Sequence, residues 1–299
     1  MPGNKWKIGV DVGGTFTDFT LLNQNTGALN FYKIPSTPED PSLAVEKGLL
    51  ELTELYDVDT SGIDYFGHGT TVALNMLLER RAPTIGLLTT KGFRDVIEIA
   101  RQTRPHLYDY SVKRPPPLSR RVDRKEITER IAADGSILTS INMEEVKLAV
   151  SQFKKRNIKA VAICFLHAYL RPDHEILASE VVRRLMPDAF LSLSSEVLPE
   201  FREYERASTT TVNAYVGPKM QEYLNGLEKR LIQNNVKTSP HIIHSNGGML
   251  TVKTASKLPV RTCLSGPAAG VVGAASISSS AGCPNILAFD VGGTSTDVS

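Results

Sequence analysis

Alternation of apolar and polar positions marks the start of the chain. The run "KWKIGVDVGG" predicts a β-strand closed by a tight Gly-Gly turn. "TFTDFTLLN" continues as a second strand, with Phe16, Asp18 and Thr20 on one face and Thr17, Phe19 and Leu21 on the other. "NQNTGAL" reads as a turn and "NFYKIPS" as a third strand, so a meander opens the protein. The period then lengthens. "TPEDPSLAVEKGLLELTELY" predicts a helix with acidic residues at its start and apolar positions at Leu43, Val45, Leu49, Leu50 and Leu52.

Strand and helix patterns alternate after that. "IDYFGHGTTVALNMLLERR" reads as a strand, a Gly-rich turn and a helix, "PTIGLLTT" as a buried strand, and "KGFRDVIEIARQ" as a helix. A Pro-rich loop, "RPHLYDYSVKRPPPLSRR", precedes the helix "MEEVKLAVSQFKKRN", the apolar strand "IKAVAICFL", the helix "DHEILASEVVRRLMPD" and the strand "AFLSLSSEV". This order predicts an α/β fold with a largely parallel sheet. A long helical segment from Glu200 is expected to break near Gly217-Pro218, ahead of the strand and turn "PHIIHSNGG". A Gly/Ala/Ser-rich stretch, "LSGPAAGVVGAA", leads into a small-residue helix, and "NILAFDVGGTSTDVS" repeats the opening strand and turn. A boundary near residue 190 divides the chain into an N-terminal α/β domain, 1–190, and a second part, 191–299.

The 299 residues exceed what one compact core usually carries. A hydrophobic share of 41% and a charged share of 22% are ordinary for a globular enzyme. The net charge of +2, with no basic run interleaved with aromatics, gives no nucleic-acid face. The N-terminus is too polar for a signal peptide, and no apolar stretch is long enough to cross a bilayer. Cys164, Cys263 and Cys283 stand far apart without a C-x-x-C pair, which argues against a cysteine-built zinc site and fits a reducing compartment. The expectation is a cytoplasmic protein.

One phrase occurs twice. D-V-G-G-T-x-T-D runs from Asp11 to Asp18 and again from Asp290 to Asp297. Each part suits a nucleotide phosphate. The Asp at the strand end can hold Mg²⁺ directly or through water. Two glycines let the turn reach positive φ and bring the backbone close to phosphate oxygens. The threonines add hydroxyl donors. A single copy reads best as an ordinary hairpin turn. Two copies suggest facing hairpins that hold one phosphate tail.

Other groupings are weaker. Gly67-His68-Gly69-Thr70-Thr71 sits at an expected strand-to-helix turn, where N–H groups bind an anion and His68 acts as acid, base or donor, or where the turn is only a cap. "LSGPAAGVVGA", with Ser265 and Gly266, is no P-loop, since no Lys-Ser/Thr follows; it reads as phosphate contact or as tight helix packing. His167, His174 and Glu175 match no zinc spacing and read as a loop with Asp173 capping a helix. His241 and His244 face opposite sides of a strand.

Taken together, the paired "DVGGTFTD" and "DVGGTSTD" resemble the phosphate loops of the actin, sugar-kinase and Hsp70 ATPase superfamily, whose fold is ribonuclease H-like. The chain resembles more closely the hydantoinase A / 5-oxoprolinase family, through "GHGTTVALNMLLERR", "TTKGFRDVIEIARQ", "HAYLRPDHE", "SEVLPEFREYERASTTTVNAYVGP", "HSNGGML" and "LSGPAAGVVGAA". The resemblance implies ATP-dependent opening of a cyclic amide such as a hydantoin or 5-oxoproline, or ATP-dependent carboxylation of a ketone. A hydantoinase B-like subunit or domain would complete the reaction. It implies ATP and Mg²⁺ as cofactors, Asp11, His68 and Asp290 as catalytic residues, and Asp11 and Asp290 as metal ligands. Gly13, Gly14, Thr15, Thr17, Gly292, Gly293, Thr294, Ser265 and Gly266 would bind the nucleotide. Family members usually run past the second motif into a further nucleotide-binding half, so the chain reads as an N-terminal fragment, a truncated frame or one piece of a split protein. Its second half is expected to be incomplete.

Overall fold

The computed structural model describes residues 5–80, 82–103, 106, 108–109, 111–112, 114–291 and 296–299. In chain order the first elements are β1 (Trp6–Val12), β2 (Phe16–Asn23), β3 (Leu29–Pro35), α1 (Pro41–Leu55), β4 (Ile63–Thr70) and α2 (Val72–Glu79). Then come β5 (Gly86–Thr90), α3 (Val96–Ile99), β6 (Arg124–Ile127), β7 (Arg130–Ile131), β8 (Ile137–Thr139), α4 (Met143–Lys155), β9 (Ala160–Cys164), α5 (Asp173–Leu185), β10 (Phe190–Leu193) and α6 (Ser194–Val197). The last are α7 (Glu203–Gln233), β11 (His241–Ile243), β12 (Met249–Thr251), α8 (Val252–Lys257), α9 (Ser265–Ser280), β13 (Phe289–Val291) and β14 (Thr296–Val298).

Two compact units arise, and they do not divide at residue 190. The first joins residues 1–80 to 219–299, and the second is continuous from 81 to 218. In the first unit a six-stranded sheet has the order β12-β11-β4-β1-β2-β3. The meander β1-β2-β3 is antiparallel, whereas β4 joins β1, and β11 joins β4, in parallel. This sheet is therefore mixed rather than largely parallel. The second unit meets the parallel expectation: β10-β9-β5-β6 are parallel throughout.

The period-2 pattern of β2 holds, with Thr17, Phe19 and Leu21 buried. These pack with Ile8, Val10, Phe66 and the α1 residues Val45, Leu49 and Leu52. Leu43 and Leu50, the other two apolar positions of this helix, are exposed. Small residues take the inward positions; a Cβ at Gly48 would lie 2.3 Å from the Phe19 ring. Asp40 caps α1 by accepting from the Ser42 N–H, and Pro41 opens it with its φ already set. In the second unit Val150, Phe153, Val161, Ile163, Phe165 and Val182 form the core between the parallel sheet and helices α4 and α5.

Two helix expectations change. "KGFRDVIEIARQ" yields only the short α3, because Ala100 and Gln102 adopt left-handed backbone that ends it. The helix α7 runs through Gly217 and Pro218 without a break. Gly217 serves packing: a Cβ there would lie 2.3 Å from the Phe190 ring.

Candidate functional site

The site forms at one edge of the first unit's sheet, where the parallel strands β1, β4 and β11 end. Register places Asp11 beside Gly69, Val12 beside Thr70, and Ile242 beside His68. A ligand crevice commonly opens outside the carboxyl ends of such strands.

Asp11 stands at this edge with its carboxylate reaching solvent. Gly69 is a glycine for a steric reason, since a Cβ there would lie 2.9 Å from Asp11 Oδ1. A Cβ on Gly266, in the first turn of α9, would lie 3.9 Å from the same oxygen and 3.7 Å from Thr71 Cγ2. The strand carboxylate and the helix start are thus neighbours. Ser265 is buried, and its hydroxyl donates to the Thr70 carbonyl at 2.9 Å, which ties α9 to the end of β4. Crowding by protein raises the pKa of Asp11, and the charges of Asp18 and then Asp290 add to it.

The β1–β2 turn carries Gly13, Gly14 and Thr15. Neither glycine has positive φ, contrary to expectation. Close approach is their use instead: a Cβ on Gly13 would lie 3.0 Å from the Phe16 carbonyl oxygen, and one on Gly14 3.5 Å from Asn75 Nδ2. Thr17 is buried and presents no hydroxyl to the crevice. Its Oγ1 bonds Ser36 Oγ at 2.9 Å, and Ser36 donates on to the Gly13 carbonyl at 2.9 Å. Ser36 also donates its N–H to the Thr15 carbonyl. Thr17 therefore braces the turn from behind. Thr71 donates to the Val12 carbonyl and accepts from Asn75 Nδ2, both at 3.2 Å.

Both copies of the repeated phrase fold alike where they are described. Asp11 pairs with Asp18 and Val12 with Thr17; Asp290 pairs with Asp297 and Val291 with Thr296. Gly292, Gly293 and Thr294 lie outside the described residues. Among the described residues no group of three or more His, Cys, Asp or Glu side chains is placed to hold a metal. The charge of Asp290 reaches the Asp11 carboxylate. The two side chains are a donor set for Mg²⁺, which takes one or two carboxylates and keeps waters or phosphate oxygens for the rest.

His68 changes place. Gly67, His68 and Gly69 lie within β4, and the turn is confined to Thr70 and Thr71. The ring of His68 is buried, shares a 2.5 Å hydrogen bond with the Tyr223 hydroxyl through Nε2, and has no partner at Nδ1 among the described residues. Tyr223 in turn bonds Thr70. His68 thus supports the strand end from inside and does not face the crevice.

Burial lowers the His68 pKa from 6.5 to about 3. The unfolded chain then takes a proton that the folded chain refuses. Stability is full above about pH 6.5 and falls as pH drops towards 3, by up to about 1.4 kcal/mol per pH unit. His68→Phe is expected to flatten the stability curve between pH 6.5 and 5 in urea titrations. An unchanged slope in the variant would assign the acid sensitivity elsewhere.

The remaining histidines form no site. His174 bonds Glu129 at 2.7 Å inside the second unit, while Glu175 accepts from Ser194, Ser195 and the Phe165 N–H. Asp173 opens α5 and pairs with Arg171 rather than capping the helix. Ser36, Asn75 and Tyr223 were not legible as site residues. Ser36 and Asn75 sit in ordinary polar contexts, and Tyr223 lies far along the chain in a helix.

Residues 7–186 match the family described as the hydantoinase/oxoprolinase N-terminal region, and residues 206–299 match that described as hydantoinase/oxoprolinase. The chain belongs to the hydantoinase/oxoprolinase family. Its similarity to curated members runs along nearly its whole length. It is 34% identical over 304 residues to the caprolactamase subunit alpha of Pseudomonas jessenii, covering 100% of this chain and 44% of that one. It is 33% identical over 309 residues to the acetophenone carboxylase gamma subunit of Aromatoleum aromaticum, covering 97% of this chain and 42% of the relative. The crystal structure of the ATP-dependent caprolactamase from Pseudomonas jessenii superposes with a TM-score of 0.86 at 34% identity, over 98% of this chain and 43% of that chain. This hydantoinase/oxoprolinase family chain therefore spans less than half the length of these relatives.

Proposed function

We propose that this chain carries the phosphate-gripping part of an ATP-dependent hydrolase that opens a cyclic amide. The observation that carries the reading is geometric. The first turn of α9 comes against the Asp11 carboxylate, with a Cβ position on Gly266 3.9 Å from Asp11 Oδ1, and the charge of Asp290 from the second repeat adds to that of Asp18 at this carboxylate. A cation there would offset the charge that keeps Asp11 from ionising.

In this reading the fold is of the actin/Hsp70 ATPase type. The antiparallel meander beside parallel β4 and β11 supports it. Asp11 and Asp290 hold and orient Mg²⁺. The N–H groups at the start of α9, at Ser265 and Gly266, and the turn Gly13-Gly14-Thr15 would contact the phosphates, and the shared sequence of the second repeat assigns Gly292, Gly293 and Thr294 the same role. Helix N-termini and close backbone favour anions. Thr17 and Ser36 keep the turn in shape, and His68 with Tyr223 holds the end of β4. Bound Mg-ATP would supply a phosphoryl group to the amide oxygen, which makes the ring carbonyl a better electrophile for water. Positioning, rather than covalent participation by the protein, is what such transfer needs.

The regions 1–190 and 191–299 are proposed as the two family modules, since the matched segments meet near there. A hydantoinase B-like subunit or domain is the proposed partner. Cys164, Cys263 and Cys283 are unpaired, and no helix among the described residues is long and apolar enough to cross a membrane, which supports a cytoplasmic setting.

The carboxylase relative favours a second reading, ATP-dependent carboxylation of a ketone. One assay separates them. The chain, with its hydantoinase B-like partner, is given Mg-ATP and a panel of lactams, hydantoins, 5-oxoproline and aryl ketones, with and without bicarbonate. Phosphate release driven by a cyclic amide without bicarbonate is expected. Release that requires both ketone and bicarbonate would replace the hydrolase reading with the carboxylase one.

A further inference from the structure

The second unit has a crevice of its own, independent of the ATP reading. Its parallel strands β5, β9 and β10 end at Thr90, Cys164 and Leu193. By this edge a narrow cavity is lined by Leu87, Thr89, Cys164, Phe165, Glu203 and Arg206 among others. A wider crevice of about 460 Å³ is lined by Arg101, Tyr169, Phe201 and Tyr204, and the two share Phe93, Val96 and Glu203. The narrow part has a charged floor and the wide part aromatic walls.

Arg206 is completely buried. An arginine has five N–H donors in a fixed fork. Nη1 donates to the Phe165 carbonyl and to Ser194 Oγ, both at 2.8 Å. Nε and Nη2 have no hydrogen-bond partner among the described residues. These two atoms form the side-on edge of the guanidinium. The same edge of Arg101 grips both oxygens of Glu205, at 2.7 and 2.6 Å, and that of Arg121 both oxygens of Asp95, at 2.9 Å each. In Arg206 the identical edge is buried, charged and without a carboxylate.

No neighbour among the described residues fills the role. Glu175 reaches Arg206 at second hand, through Ser194 and Phe165, and its two oxygens already accept from Phe165, Ser194 and Ser195. The Tyr169 ring, whose centroid lies 5.6 Å from Arg206 Cζ, offers a cation–π contact and no carboxylate. Glu203 lines both spaces, one turn before Arg206 on α7, without bonding that edge.

We propose that this crevice is a subsite for a small monocarboxylate with an apolar or aromatic body. The narrow part holds about 10 Å³, room for one water, so the carboxylate reaches the Nε/Nη2 edge of Arg206 as that part opens, and the body lies against Phe93, Tyr169 and Phe201 in the wide part. Bidentate charge-assisted bonds give both strength and a planar shape requirement. Glu203 acts as a like-charged gate that turns aside when the ligand enters.

Benzoate and its neutral isostere benzamide test this on the full chain. Binding is followed by the arginine Nε–H resonance of Arg206 in ¹⁵N NMR and by calorimetry. Benzoate is expected to shift that resonance and to bind at least about tenfold tighter than benzamide, since only the charged ligand pairs with the guanidinium. Arg206→Lys keeps the charge, loses the side-on edge and is expected to lose benzoate at least about tenfold. If that variant does not fold, Glu203→Gln decides: it is expected to tighten benzoate several-fold and leave benzamide unchanged. Equal binding of the two ligands, an unmoved Arg206 resonance, or a Glu203→Gln effect of equal size on both would overturn the proposal in favour of a buried water on Arg206.

Discussion

Mg-ATP is expected to stabilise the wild-type chain, and Asp11→Ala is expected to remove that stabilisation. A ligand present at about 100 times its dissociation constant stabilises a folded protein by about 2.7 kcal/mol. The variant should gain close to nothing from Mg-ATP under the same conditions. Its unliganded form should be at least as stable as wild type, because the Asp11 carboxylate is held against burial and against Asp18 and Asp290. The sign follows from the raised pKa. Ionising Asp11 costs more in the folded chain than in the unfolded one, so this side chain subtracts stability as pH rises past the ordinary carboxylate range. Asp11→Asn should therefore melt higher than wild type near pH 7 without ligand, and equally little with it. Thermal melts of the three proteins with Mg-ATP, ATP plus chelator, and buffer check this. An Asp11→Ala protein that Mg-ATP still protects as wild type would remove Asp11 from the phosphate site. A trade of apo stability for ligand binding is the usual mark of a functional carboxylate.

Glu175→Ala is expected to cost about 3 kcal/mol or more of folding stability, since it strands several buried donors at once. Glu175 is fully buried at the start of α5 and accepts from the Phe165 N–H at 3.1 Å, Ser194 Oγ at 2.5 Å, and Ser195 N–H and Oγ at 2.9 and 2.8 Å. It thus fastens the end of β9 to the α6 turn. Ser194 also receives Arg206 Nη1, so losing the carboxylate removes the acceptor that orients this hydroxyl. Glu175→Gln should be milder, because its amide group keeps one acceptor oxygen. Urea unfolding of the three proteins measures the ladder. A Glu175→Ala cost under about 1 kcal/mol would mean that water or a repacked loop satisfies these donors.

The opening hairpin was legible because two signals agreed there. Period-2 alternation in "TFTDFTLLN" set the faces of β2, and the Gly-Gly pair set the turn. The mixed sheet was not legible. Nothing local to β4 says that it pairs in parallel with β1, because that pairing depends on where the whole chain returns. His68 misled for a physical reason. Glycines on both sides imitate a turn, yet they sit in a strand where Gly69 makes room for the Asp11 carboxylate. Asp11 and Asp290 could be paired from the repeated phrase alone, and the approach of Gly266 to Asp11 only from the folded chain. Arg206 lay inside a family signature, but that two of its nitrogens lack partners is a property of packing.

The first unit is split along the chain, and this sets an order of events on the ribosome. Strand β4 ends at Thr70, while its other partner, β11, begins at His241. At roughly 5–20 residues per second, the intervening stretch of about 170 residues takes roughly 10–30 s to emerge. During that interval the open flank of β4, with Phe66 and His68 destined for burial, has no strand to pair with. The continuous stretch 81–218 emerges complete within the same interval and can finish folding while the first sheet still waits. The nascent chain therefore passes through a period in which the β4 edge is a sticky half-sheet. Holdase chaperones and slow growth temperature would govern its yield more than the final stability of the folded protein.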